Sequence, residues 1–118
     1  IWGIWGVNID MFNNLKDVKM SGRHVKEDMY LQLKFITNGI PTTSSVRFAF
    51  DRRGGINSPG GVSRYRNLEI LHKQADYMVE QFPQYVTKVM KSAKSMNGFE
   101  GEVPDIRVKW SKAYTDNV

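Results

Sequence analysis

The chain has no cysteine among its 118 residues, which removes a disulfide framework, a thiolate zinc site and a thiol nucleophile at once. Histidine is nearly as scarce: His24 and His72 stand far apart, without carboxylates at ligand spacing, so no metal is expected. The longest apolar run is only a few residues, well short of the roughly 20 needed to span a bilayer. Membrane insertion is not expected. A nucleotide signature is missing as well, because Gly55 and Gly60 have the gap of a phosphate loop but Gly61-Val62 follow where a lysine and a hydroxyl are needed. Nor is there a G-x-G-x-x-G dinucleotide fingerprint.

Catalytic groups are equally sparse. His72 beside Lys73 cannot be placed with a nucleophile and an orienting acid, and reads as an exposed polar residue. Asp76 and Glu80, one helical turn apart, read as a solvated face. Glu100, Glu102 and Asp105 lack the length and ligand pattern of a calcium loop. No cofactor and no enzymatic activity are expected.

What the chain has in excess is positive charge, with 17 Lys and Arg against 12 Asp and Glu and a net charge of +5. Its length suits one domain. The expected organisation is an apolar N-terminal arm over residues 1–7, a single α/β domain over 8–110, and a flexible polar tail over 111–118. The arm repeats Ile-Trp-Gly and places Trp2 and Trp5 where they can cover the domain's own core or dock on a neighbouring subunit; tryptophan is a frequent interface anchor.

Residues 8–22 approximate a helical stripe through Ile9, Met11, Phe12, Leu15 and Val18, predicting a short helix that ends at Ser21-Gly22. From Glu27 to Thr37 the pattern turns to alternation, with Leu31, Leu33 and Phe35 against Gln32 and Lys34, predicting a strand. Asn38-Gly39 and Pro41 mark a turn, and Ser45 to Phe50 predict a second strand. Asp51 to Gly61 hold four glycines and a proline and are expected to form a loop, followed by a helix capped by Ser63 or by Asn67. Apolar positions then run from Leu68 to Met96 in steps of threes and fours across Pro83. That predicts one helix kinked at the proline, or two nearly continuous ones, ending near Asn97-Gly98. Ile106, Val108 and Trp110 alternate with Arg107 and Lys109 as a third strand. The expected fold class is therefore α/β (α+β): a small sheet of about three to four strands with one long, Pro-kinked helix on one face.

Five of the seven arginines, Arg47, Arg52, Arg53, Arg64 and Arg66, fall within Val46 to Arg66 against a single acid, Asp51. Guanidinium forks bridge phosphate oxygens, and glycines such as Gly54 and Gly55 let a phosphate backbone approach the chain closely. A second basic set comprises Lys88, Lys91 and Lys94, expected on the helix, with Arg107, Lys109 and Lys112 on the last strand and tail. Tyr65, Phe48 and Trp110 lie among these charges and can stack on bases, although Phe48 is expected in the core. The plainer alternative is a surface loop whose arginines keep it soluble and pair with distant acids.

Val46 to Phe50, Gly54-Gly55, Ser58, Gly60-Gly61 and Arg64, followed by a helix, Phe82-Pro83 and a late strand, resemble the thioredoxin-like family of small mitochondrial ribosomal proteins and an accessory subunit of respiratory complex I. The resemblance covers roughly Ser45 to Trp110; the loop and the helical region are longer here. It implies an RNA-contacting structural protein without redox chemistry. The functional expectation is a non-enzymatic RNA-binding subunit of a large ribonucleoprotein, most simply a mitochondrial ribosome, with neighbouring protein subunits met through the arm. The alternative is a protein–protein assembly module, such as a viral or phage structural subunit or an accessory subunit of a large complex. The chain begins at Ile1 rather than methionine, so any address carried by a leader is not legible; the mitochondrial matrix and the cytoplasm are the compartments this reading suggests.

Overall fold

Asn67 starts the longest helix by accepting the Ile70 N–H on its side-chain oxygen at 2.8 Å, satisfying one of the donors that a helix leaves open at its first turn. The computed structural model describes residues 6–18, 26–43, 67–93 and 100–118. In chain order it contains α1 (Ile9–Asn13), α2 (Glu27–Thr37), α3 (Leu68–Gln81), β1 (Val86–Ser92), β2 (Glu102–Val108) and α4 (Trp110–Asn117). The class is α+β, and the sheet among the described residues is a two-stranded antiparallel ribbon rather than three to four strands.

The first helix is shorter than its stripe implied. Asn8 caps it by accepting the Asp10 and Met11 N–H groups, but it runs only from Ile9 to Asn13 and buries none of its residues. The Ser21-Gly22 stop lies outside the described residues.

The segment Glu27–Thr37, expected as a strand, is a helix. Its buried set, Tyr30, Leu31, Leu33, Phe35 and Ile36, satisfies steps of three and four as well as steps of two, and the helix-favouring composition decides between them. Glu27 and Asp28 occupy the first turn, where the positive end of the helix dipole favours carboxylates. Asn38-Gly39 then ends the helix instead of turning a hairpin. The Gly39 N–H donates to the Ile36 carbonyl at 2.9 Å and the Ile40 N–H to the Phe35 carbonyl at 3.0 Å, the paired bonds of a Schellman stop. Gly39 takes the left-handed φ of +75° that the motif requires.

Pro83 breaks the expected long helix completely. Phe82, the residue before it, leaves the helical region at φ −136° and ψ 58°, because a proline ring crowds the preceding residue out of that conformation. A turn follows in which the Phe82 carbonyl accepts both the Tyr85 and Val86 N–H groups. Beyond it Val86, Thr87 and Val89 supply β-branched side chains, and the chain runs as β1. The ribbon pairs Val86 with Val108 through to Ser92 with Glu102. Pro104, opposite Met90, is tolerated because each strand of a two-stranded ribbon has a free edge.

The third expected strand is β2, but it stops at Val108, and Trp110 begins a helix. The expected fraying tail is α4, whose Ala113 is fully buried. It is fixed at both ends by Tyr85: the Lys109 N–H donates to the Tyr85 carbonyl at 2.8 Å, and the Asn117 side-chain amide donates to the Tyr85 hydroxyl at 3.0 Å.

α3 packs on the ribbon and α2 on α4. The core between them joins Tyr30, Leu31, Leu33 and Ile36 of α2 to Ala75 and Met78 of α3, with Phe82, Tyr85, Val86, Ile106 and Ala113 closing it. Tyr30 lies at its centre, stacked on Tyr77 and edge-on to Phe82 at 5.6 Å. Leu71, Ala93 and Val103 form a smaller buried patch. The strand expected over Ser45–Phe50, the loop over 51–61, the alternative cap Ser63 and the helix end near Asn97-Gly98 lie outside the described residues.

Candidate nucleic-acid interface

Of the residues expected to meet nucleic acid, Arg47, Arg52, Arg53, Gly54, Gly55, Arg64, Tyr65 and Arg66 lie outside the described residues, as do the partner-binding candidates Trp2 and Trp5. Lys88, Lys91, Arg107, Lys109 and Lys112 are described, and the structure divides them into two groups.

Three of them are held by acids. Lys88 leaves β1 toward α3 and places its Nζ 2.6 Å from Asp76 Oδ1. Lys91 reaches Asp105 Oδ2 across the ribbon at 2.6 Å, and Lys112 reaches Asp116 one turn along α4 at 2.6 Å. Lys88 and Lys91 stand on a strand, not on the helix where they were expected. Asp76, expected on a solvated face, is exposed and pairs there with Lys88.

Asp105 is the most connected of these carboxylates. Besides Lys91 it accepts Lys26 Nζ at 2.5 Å on Oδ1 and the Ile106 N–H at 2.8 Å. Partial burial works to raise its carboxyl, but the hydrogen bonds from Lys26, Lys91 and Ile106 outweigh that and hold it at about 2. The sequence gives no hint of this hub, because Lys26 and Asp105 are 79 positions apart. On α4 the hydrogen bond from Lys112 lowers the Asp116 carboxyl, and the same bond raises the Lys112 amine.

Arg107 and Lys109 differ. Both are exposed, and neither has an ion-pair partner among the described residues. Arg107 stands opposite Thr87 on the ribbon, and Lys109 links β2 to α4, directly before Trp110.

Charge is also divided along the chain. The described residues carry nine Lys and Arg against eleven Asp and Glu, and the remaining residues carry eight against Asp51 alone. The framework is slightly acidic by itself, and the chain's positive excess belongs to the rest of the sequence.

Trp110 was expected on the last strand as a stacking residue. It is the first residue of α4, partly packed on the core and partly lining a groove of about 410 Å³ between α2 and α4. Gln32, Ile36, Thr42, Ser111, Tyr114 and Thr115 line the rest. The Gln32 amide donates to the Thr42 hydroxyl at 3.3 Å. Ser111, Tyr114 and Thr115 are hidden by a composition that predicts a polar tail over 111–118, and Gln32 and Ile36 by an alternation that predicts a strand. The spacing Trp110, Ala113, Tyr114, Asn117 was the available helical signal.

His72 is half-buried on α3, and among the described residues no group of three His, Cys, Asp or Glu is arranged to hold a metal ion. No described helix is long and apolar enough to cross a membrane. No protein-family model, no curated protein and no solved structure matches the chain.

Proposed function

We propose that the protein is a non-enzymatic RNA-binding structural subunit of a large ribonucleoprotein, gripping phosphate backbone chiefly through the arginines of Val46–Arg66. The observation that carries this reading is the division of charge. The framework lysines Lys26, Lys88, Lys91 and Lys112 are committed to Asp105, Asp76 and Asp116, whereas the arginine-rich stretch has one acid of its own for five arginines. Five guanidinium groups exceed what one carboxylate can neutralise, and their fork matches phosphate oxygens. Arg107 and Lys109 add two cations on the framework.

The test is the salt dependence of binding to a single-stranded RNA. Each phosphate neutralised contributes about −0.7 to the slope of log affinity against log salt, so a grip through these arginines gives a steep line. Replacing Arg52 and Arg53 together by glutamine should flatten it by about one unit or more. A flat line for the unmodified chain would overturn the proposal.

A second reading is favoured by α1. Ile9 is 66% and Met11 46% exposed on a helix that packs on the core through the partly buried Phe12, directly after the Ile-Trp-Gly arm. In this reading residues 1–13 dock on a neighbouring protein subunit, and deleting residues 1–7 abolishes self-association or assembly without changing RNA affinity. Sedimentation of the full and shortened chains separates the outcomes.

A further inference from the structure

We propose that the groove between α2 and α4 is a nucleobase site: one base of a bound strand stacks on Tyr114 and Trp110, its edge meets Gln32 and Thr42, and Lys109 takes the adjoining phosphate. This rests on the RNA-binding reading and supplies the contact to a base that the arginines, as backbone ligands, do not.

The lining carries no charged side chain, which disfavours a free anion or a metal ion as occupant. Ile36, Trp110 and Tyr114 give it an apolar wall, and Gln32, Thr42, Ser111 and Thr115 add an amide and three hydroxyls. That mixture suits a ligand with a flat apolar face and a neutral hydrogen-bonding edge, which describes a base. The volume of about 410 Å³ falls in the range of roughly 300–1,000 Å³ typical of small-ligand sites.

Trp110 and Tyr114 are four residues apart on α4 and so share a helical face. Tyr114 is 42% exposed, and its hydroxyl has no partner among the described residues. Gln32 is oriented by its bond to Thr42, leaving its carbonyl oxygen and one N–H uncommitted, an acceptor and a donor side by side. Lys109, directly before Trp110 in the chain, is exposed and has no ion-pair partner among the described residues, which makes it the cation next in sequence to the groove lining.

The experiment titrates the full chain with fluorescein-labelled oligouridine and with an abasic ribose-phosphate strand of the same length, following anisotropy. The unmodified chain should prefer the base-bearing strand by about tenfold, the lower part of what base–aromatic stacking contributes. Tyr114→Ala should lose that preference and leave the abasic affinity unchanged, whereas Tyr114→Phe should keep it. Because Tyr114 is exposed, the variants should retain the parent circular dichroism. Equal binding of both strands by the unmodified chain, or an unaltered preference in Tyr114→Ala, overturns the groove and leaves the backbone reading standing. Failure to bind either strand overturns both.

Discussion

The lysines that bridge elements of the framework and the two cations where β2 runs into α4 use charge in opposite ways. On the ribbon, Lys88, Lys91 and Lys26 are all spent within the fold, bridging β1 to α3 and both strands to the start of α2. Where β2 runs into α4, Arg107 and Lys109 are exposed and have no ion-pair partner among the described residues. A lysine count alone would give both regions the same role. The difference shows that the cations fit for an external anion are those without an internal acid, and that an ion pair drawn between elements marks structure rather than binding.

The largest effect should come from the core beneath both regions. Leu33→Ala removes a side chain with no exposed surface and should cost about 2–5 kcal/mol. A single denaturant transition, coincident by far-ultraviolet circular dichroism and tyrosine fluorescence, would show the two sides to be one cooperative unit. Two separate transitions would break the comparison by making them independent.

Next is Asp105→Asn, which strips Lys26 and Lys91 of their shared carboxylate and should cost about 1–2 kcal/mol near neutral pH, discounted for the site's partial exposure. The folded carboxyl titrates at about 2, below its ordinary value of 3.8. Its contribution is therefore present above about pH 4 and is lost as the pH falls toward 2. The stability gap between the parent and Asp105→Asn should close over that interval, measured by thermal melts in steps of pH. A gap that stays constant would remove Asp105 from its role.

Asp76→Asn should do less, about 0.5 kcal/mol or under, since its side chain is 63% exposed and exposed pairs contribute little. It frees Lys88, however, and should raise RNA affinity slightly at low salt. The smallest effect on stability belongs to Arg107→Gln with Lys109→Gln, which should leave the melting temperature within about a degree while lowering the salt slope by about one unit. A marked loss of stability here would erase the distinction between spent and available cations.

Much of this framework was legible in the sequence, at specific places. The α+β class, the strand through Ile106 and Val108, and a helix beginning at Leu68 with Asn67 as one of two candidate caps follow from period, cap and composition. Two segments deceived in opposite senses. Leu31, Leu33 and Phe35 alternate like a strand, yet Tyr30, Leu33 and Ile36 are also three apart, and burial on a broad helical face fills both patterns. Phe82, Val86, Val89 and Ala93 keep helical phase beyond Pro83, yet the proline's constraint on Phe82 and the β-branched run after it prevail. The polar composition of 111–118 concealed α4, whose one fully buried residue is the small Ala113 and which Trp110, the Lys109 N–H and Asn117 also tie to the core and to Tyr85. The Asp105 hub and the groove are made by tertiary approach, which no local pattern encodes. The arginine stretch remains what composition makes it: the chain's densest block of positive charge, now with a framework whose own lysines are largely committed elsewhere.

The start of α2 has a kinetic consequence. Lys26 sits in the left-handed region at φ 30°, and the helix it precedes has no side-chain cap there. The Lys26 carbonyl accepts the Tyr30 N–H at 3.0 Å, and its amine reaches Asp105, 79 positions later in the chain. The turn itself is thus a local structure, whereas the ion pair that ties it to β2 closes a long loop, an event slow relative to local helix formation.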